Sequence, residues 1–155
     1  MITALLQIIA SDSVDLCVLP RGRLVSHLTC SSATRQACSV YLKNRVHTSY
    51  IIEPSRQRPE QIHIAQSDRD ALKANILSLL AASPSRAITA QLAATLKDLI
   101  VNDFPEKWSN LLQNVNQLLK SASKQEVGAG CVAALECVRA FRQVLYHAHA
   151  LPRAI

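Results

Sequence analysis

The chain has 155 residues, a length that suits one folded domain with a buried core. Apolar residues make up 49% of it, aromatic residues only 4%, and glycines number three, a mixture that favours close-packed helices over a β-sandwich or barrel. The net charge of +6 does not indicate direct nucleic-acid binding, because the basic residues lie in irregular stretches or alternate with acidic ones and form no ridge with interleaved aromatics.

The first 66 residues predict two helices joined by irregular stretches. Residues 2–10 predict a short apolar helix, and the helical pattern then disappears between residues 17 and 33, where Pro20 and Gly22 interrupt it. A second helix is predicted from near Thr34. Residues 50–66 predict a long connection.

Four apolar-striped segments follow at an even step, beginning near Ser67, Arg86, Pro105 and Lys124. Ser67 is placed to cap the first segment, Pro105 to be the first helical residue of the third, and Ser123 to open the fourth through a capping box. On the fourth helix the pattern predicts an inward face made of Val127, Cys131, Leu135, Val138, Phe141 and Leu145. An even step of about 20 residues predicts stacked antiparallel helical hairpins, although a globular bundle could be built from the same helices.

The cysteines form an odd set with no repeated short spacing: Cys17, Cys30, Cys38, Cys131 and Cys137. This predicts neither a disulfide framework nor a zinc site, and it fits a reducing compartment, with the last three expected to pack as small apolar residues. Residues 1–10 lack a basic leader and a cleavage site, so we expect no signal peptide. No run reaches the roughly 18 apolar residues of a membrane span, so we expect no membrane insertion and a soluble, intracellular protein.

Two motifs resemble the importin-β (karyopherin) family. Residues 35–44 read R-Q-A-C-S-V-Y-L-K-N and match that family's R-Q-A-x-x-x-Y-L-K-N helix, and residues 103–108 read D-F-P-E-K-W and match its D-F-P-x-x-W turn. The resemblance is closest to the importin seven and importin eight branch, and it covers about residues 34–143 together with the helix at 5–16. It implies the N-terminal region of such a receptor, an all-α HEAT-repeat solenoid of antiparallel helix hairpins.

The resemblance also implies a domain layout. Family members are several times longer, so the chain resembles a fragment or truncated gene model, with the solenoid truncated at both ends. We expect a remnant helix of the first repeat at 1–16, an irregular and foreign-looking insert at 17–33, importin-β-like HEAT repeats at 34–146, and a frayed tail at 147–155.

The motif residues are expected to maintain repeat packing. Trp108 can wedge between neighbouring hairpins with Phe104 against it, and Tyr41 and Leu42 are predicted to lie in a buried stripe. The residues assigned this structural role are Arg35, Gln36, Tyr41, Leu42, Asp103, Phe104, Pro105 and Trp108.

The family resemblance implies a nuclear transport receptor that shuttles between nucleus and cytoplasm and binds GTP-loaded Ran through the second helix of each hairpin. Solvent-facing polar residues of those helices are the candidate contacts: Asp68, Lys73, Asn75, Asn110, Gln113, Asn114 and Gln117. Transport cargo and nucleoporins are further partners of such receptors, with sites that lie mainly beyond this region. The alternative is a generic helical-repeat scaffold that binds protein partners without GTPase dependence.

Catalysis is not expected, and neither is a cofactor or metal. His147 and His149 have no carboxylate at ligand spacing, Cys131 lies in an apolar stripe where a thiolate is disfavoured, and no glycine-rich phosphate loop is present.

Overall fold

The computed structural model describes residues 2–10, 31–50, 63–83 and 85–150, with side chains described as far as residue 142. These residues form six helices: α1 Ile2–Ala10, α2 Ser32–Ser49, α3 Gln66–Ala81, α4 Arg86–Asp103, α5 Leu111–Leu119 and α6 Lys124–Ala150. The described ranges contain no strand, which confirms the all-α prediction.

The helices pack in two layers. The even-numbered helices form a row in which α4 lies between α2 and α6, and the odd-numbered helices lie against this row. Of the odd-numbered helices, α1 packs on α2, α3 packs on α4 and α6, and α5 packs on α6, while α1 and α3 also pack on each other. Consecutive helices that alternate between two layers are the arrangement of a HEAT-repeat α-solenoid.

The core runs along the contact between the two layers. It is built mainly from leucine and isoleucine on α3 and α4, including Leu72, Ile76, Leu92, Leu96 and Leu99, none of which is exposed by more than 1%. Because α4 contacts helices on both sides, its apolar residues form a broad face rather than a narrow stripe.

Three helix starts differ from the sequence prediction. Helix α2 begins at Ser32 and is capped by Ser31, whose Oγ accepts a hydrogen bond from the Thr34 N–H at 3.1 Å. Helix α3 begins at Gln66, after Ala65, so Ser67 is not its cap. Residues 104–107 form a turn and α5 begins only at Leu111, so the prediction of Pro105 as a first helical residue was wrong.

The predicted inward face of α6 was wrong at three positions, because Cys131, Leu135 and Val138 are exposed. Of the other predicted residues, Phe141 packs against the core and Val127 is half-buried. The fully buried apolar side chains of α6 are small ones, namely Ala129, Ala133, Cys137 and Ala140. The physical reason is close helix packing: a Cβ on Gly130 would lie 3.0 Å from the Leu119 side chain of α5. At such an approach only small residues fit between the helices.

The predicted end of the last helix, the predicted insert and the predicted tail can each be compared with the structure only in part. Helix α6 continues to Ala150, past the predicted end at Tyr146, although the side chain of Leu145 lies outside the described residues. The insert at 17–33 lies almost wholly outside them, as do Pro84 and the end of the chain. None of the described helices is both long and apolar enough to cross a bilayer.

Candidate functional site

The described residues of the odd-numbered layer line two neighbouring grooves, and the larger lies between α3 and α5 with a volume of about 710 Å³. Most of its α3 wall is made of the short side chains of Ala74, Ser78, Ala81 and Ala82. The other lining residues are Lys73, Leu77, Asn114, Gln117, Leu118, Ser123, Gln125 and Glu126. We call this space the α3–α5 groove. It is open because small residues on α3 face α5 across a gap instead of filling it.

A smaller groove of about 310 Å³ lies between α1 and α3. Ser78 and Ala82 line both grooves, so α3 is a low ridge between them. The two grooves make the odd-numbered layer a corrugated surface with mostly short side chains at its centre. Such a surface admits the side chains of another protein.

A buried ionic cluster borders the α3–α5 groove at Lys73. The Lys73 Nζ lies 3.1 Å from Asp103 Oδ2 and 3.3 Å from Asp70 Oδ1, and it donates a hydrogen bond to the backbone oxygen of Lys107 at 3.2 Å. The Lys73 side chain is 11% exposed and that of Asp103 only 3%. Lys73 is therefore neutralised inside the molecule, although it was predicted to face a partner.

The same carboxylate also holds the end of α2. The Tyr50 hydroxyl donates to Asp103 Oδ2 at 2.5 Å, and the Arg69 guanidinium lies 4.6 Å from the centre of the Tyr50 ring. Burial, and after it the bond to Asp103, raises the pKa of the Tyr50 phenol well above its ordinary value. The phenol is therefore a neutral donor at physiological pH. We call Tyr50, Arg69, Lys73 and Asp103, with Asp70 at its edge, the Asp103 cluster.

The structure separates the predicted partner contacts into groups with different surroundings. Asn114 and Gln117 line the α3–α5 groove beside Lys73. Asn75 lines the smaller groove, and its Nδ2 donates to the Ala71 oxygen at 2.8 Å. The remaining three line neither groove: Asp68 is half-buried, and Asn110 and Gln113 are exposed.

The motif residues also differ from one another in their surroundings. Leu42, Asp103 and Trp108 are buried, whereas the Tyr41 side chain is 50% exposed, so the prediction that Tyr41 lies in the buried stripe was wrong. The buried apolar residues of α2 are instead Leu42 and Val46, and Tyr50, which directly follows the helix, continues their spacing of four. Arg35 is half-buried, and Gln36 and Pro105 are exposed.

The aromatic partner of Phe104 was not foreseen either. Its ring packs on that of Phe141 from α6, with the ring centres 5.3 Å apart. The sequence had suggested Trp108 as the neighbour of Phe104. It could not suggest Phe141, because no sequence pattern links residues 104 and 141. This contact joins the corner after α4 to α6.

Sequence reasoning missed Tyr50 and Arg69 as members of the cluster. Tyr50 was assigned to a connection, yet its spacing of four from Val46 continues the buried face of α2 and could have revealed its burial. Nothing local signals Arg69, whose Nε donates to the Ile64 oxygen at 3.1 Å and whose stacking depends on the fold.

The described side chains offer little chemistry beyond binding. They include no group of His, Cys, Asp and Glu residues that could hold a metal ion. Burial, followed by the neighbouring Glu136 carboxylate, raises the pKa of the Cys137 thiol, which disfavours its thiolate.

The sequence is similar to known importins over most of its length. A protein from Dictyostelium discoideum described as a probable importin-7 homolog is 28% identical over 90% of this chain and 11% of its own length. Importin-8 of Homo sapiens is 31% identical over 77% of this chain and 10% of its own, and importin-8 of Danio rerio is 31% identical over 76% and 10%. The chain thus spans about a tenth of the length of these relatives. No family model matches it, and no solved structure matches it significantly.

Proposed function

This chain belongs to the importin-β family, and from that premise we propose that it forms part of a nuclear transport receptor that binds the GTP-loaded form of the small GTPase Ran. The importin-7 and importin-8 names of its relatives support the receptor role. In this proposal the chain acts by binding and not by catalysis. The whole receptor carries cargo, contacts nucleoporins and shuttles between nucleus and cytoplasm.

The observation that carries the proposal is the α3–α5 groove in the layer of odd-numbered helices. The helices that the family resemblance implies as Ran-binding include the segments that form α3 and α5, and two predicted contacts, Asn114 and Gln117, converge on their groove. Their amides can each donate and accept hydrogen bonds. The alanine and serine wall opposite them leaves room for a partner side chain.

The Asp103 cluster has a supporting role in this proposal. Lys73 of α3 pairs with the buried carboxylate of Asp103 at the end of α4 and donates to the Lys107 backbone oxygen in the following corner. These two contacts fix the α3 wall relative to that corner. A surface that is already rigid loses less conformational entropy on binding. Lys73 therefore positions the groove, while Asn114 and Gln117 contact the partner.

A nucleotide-state binding experiment tests the proposal. The 155-residue chain is immobilised and its affinity is measured for Ran loaded with a non-hydrolysable GTP analogue and for Ran loaded with GDP. We expect binding to the GTP form at least about tenfold tighter than to the GDP form, a difference of about 1.4 kcal/mol. Equal or absent binding to both forms contradicts the Ran proposal. Nucleotide-independent binding would instead favour a general scaffold.

A matched pair of variants locates the surface. Ala74→Trp fills the α3–α5 groove, whereas Ala90→Trp adds the same ring at an exposed position of α4, in the other layer. We expect the first variant to weaken Ran binding at least about tenfold and the second to leave it unchanged. Equal effects of the two variants would place the contact elsewhere.

A further inference from the structure

Two charged side chains line the α3–α5 groove, Lys73 of α3 and Glu126 in the first turn of α6. The Lys73 ammonium group is already paired with Asp103, and Asp70 lies 3.3 Å from it. Every other described residue that lines the groove is uncharged. Glu126 therefore supplies the charge that the groove presents to an occupant.

The Glu126 carboxylate is half-buried, and no described group forms a hydrogen bond or an ion pair with it. The predicted capping box would have joined it to the Ser123 N–H, but that N–H donates to Ser121 Oγ at 3.0 Å instead. The basic residues nearest to it along the chain, Lys120 and Lys124, are exposed and do not line the groove. A carboxylate that is partly shielded from water and has no partner favours an occupant with positive charge.

The other walls of the groove match the long side chain of an arginine. Ala74 and Ala81 of α3 form a short apolar wall along which its methylene groups can lie. The side-chain oxygens of Asn114 and Gln117 on α5 can accept hydrogen bonds from its guanidinium. A guanidinium presents five N–H donors in one plane, so it can bond to a carboxylate and to amide oxygens together, whereas a lysine ammonium lacks this fixed fork.

We propose that Glu126 makes the α3–α5 groove a receptor for an arginine side chain of the protein partner. This inference rests on the proposed function, because it concerns the same groove and names the chemistry of the group that enters it. Glu126 determines the specificity, and the amides of α5 orient the guanidinium. A neutral side chain of the same shape leaves the carboxylate unpaired, and an acidic one is repelled by it.

Two peptides that differ in one side chain test the arginine preference on the 155-residue chain. One is a blocked glycine–arginine–glycine tripeptide, and the other has citrulline, which is neutral and nearly isosteric, in place of the arginine. Amide shifts of the ¹⁵N-labelled chain are followed by NMR during each titration. At equal concentration we expect the arginine peptide to shift the amides of Asn114, Gln117 and Glu126 at least about fivefold more than the citrulline peptide.

Glu126→Gln removes the charge but keeps the shape of the side chain, so it should abolish the difference between the two peptides. Glu106→Gln is the matched control, because it removes the same charge from an exposed residue of the corner after α4 that lines neither groove. It should preserve the difference. The inference is overturned if the native chain responds equally to both peptides, or to neither, or if the preference survives Glu126→Gln.

A second variant keeps the test decisive if Glu126→Gln fails to fold, which circular dichroism would reveal. Loss of a first-turn carboxylate weakens its favourable interaction with the helix dipole, so some loss of stability is expected. Ala74→Trp fills the groove without changing any charge, and it should abolish the shifts that the arginine peptide causes at Asn114 and Gln117. Shifts that persist in this variant would place the arginine outside the groove.

The same variants separate this inference from the Ran proposal. If the native chain binds GTP-loaded Ran, Glu126→Gln should weaken that binding at least about tenfold, whereas Glu106→Gln should change it by less than about twofold. Equal affinities of the two variants overturn the arginine inference and leave Ran binding intact. If the native chain does not bind Ran, the Ran proposal fails, and the peptide titration decides the arginine inference by itself.

Discussion

Helix α3 presents polar side chains to two neighbouring regions that use them in opposite ways. At the Asp103 cluster, Lys73 pairs with Asp103 at the end of α4 and is largely buried, and Arg69 stacks on Tyr50 just after α2. In the α3–α5 groove, a few ångströms further along α3, Ser78 and the facing amides of α5 remain accessible. The same helix thus serves stability on one side and, in our proposal, recognition on the other.

The comparison shows that residue type alone does not identify a binding residue. Lys73 has the charge and helix position expected of a partner contact, but two carboxylates and a carbonyl already surround its ammonium group. Asn114 and Gln117 are less conspicuous in the sequence, yet they line open space. For Lys73, the pairing with Asp103 at 3.1 Å decides its surroundings, and the residue type alone could not predict that pairing.

Removing the shared carboxylate should break the buried region most severely. Asp103→Ala leaves the Lys73 charge largely buried and the Tyr50 hydroxyl without its acceptor. We expect a loss of about 3 kcal/mol in the free energy of unfolding, at the low end for broken buried pairs because Asp70 remains near Lys73. Urea unfolding followed by circular dichroism measures this loss.

Asp98→Ala is the matched control. Asp98 also pairs across helices, with His47 Nδ1 at 3.0 Å, but the His47 side chain is 69% exposed. Exposed pairs contribute about 0–1 kcal/mol, so this variant should lose far less stability than Asp103→Ala. Similar losses in the two variants would mean that the Asp103 cluster has no special structural role.

The position of the groove wall depends on a close approach of α5 to α6. A Cβ at residue 130 would lie 3.0 Å from the Leu119 side chain and 3.1 Å from its backbone nitrogen, whereas a Cβ at residue 128 would meet nothing within 4 Å. Gly128→Ala should therefore gain up to about 1 kcal/mol from helix propensity. Gly130→Ala should have the same gain from helix propensity, but its added methyl group would press against Leu119. We therefore expect it to be less stable than Gly128→Ala by about 1–2 kcal/mol. Thermal and urea unfolding of the pair check this difference, and equal stabilisation would contradict the close approach.

The Asp103 cluster should also weaken in alkali. Because the folded chain raises the pKa of Tyr50, it keeps a proton that the unfolded chain releases above about pH 10. The stability contributed by the neutral phenol is thus complete below that pH and is lost as the pH rises, with a slope that approaches about 1.4 kcal/mol per pH unit.

The measurement is the difference between variants in urea unfolding at a series of alkaline pH values. Tyr50→Phe should lack this part of the alkaline loss, while Tyr41→Phe, at the exposed tyrosine of α2, should retain it. If the two variants follow the wild type equally, the Tyr50 proton does not contribute to alkaline unfolding.

The sequence predicted the described helices well where an apolar stripe repeats over several turns. It predicted the buried face of a helix poorly where neighbouring helices decide which side is covered. The apolar stripes of α3 and α4 predicted both helices, because each helix lies in the core and its apolar spacing repeats over several turns. On α6 two apolar stripes compete, and the larger residues suggested the wrong inner face. The choice between them depends on how closely α5 approaches, which is a tertiary property.

The same limit applies to the candidate site. Asn114 and Gln117 could be predicted as solvent-facing residues because they alternate with Leu111 and Val115, which are buried. The internal pairing of Lys73 could not, because Asp103 lies 30 positions away and no local pattern joins them. The groove itself arises from a gap between two helices, and a gap has no sequence signature.

The smallest expected effect concerns the orientation of α6, which borders the groove. Cys131 is exposed and Cys137 is buried, and burial also raises the pKa of the Cys137 thiol. In the native chain a maleimide should therefore modify Cys131 at least about tenfold faster than Cys137, a ratio that peptide mapping by mass spectrometry can measure without any mutation. In urea the two rates should converge, because unfolding removes the burial that separates them. Faster native modification of Cys137 would mean that α6 is rotated about its axis, so that Cys131 and not Cys137 is buried.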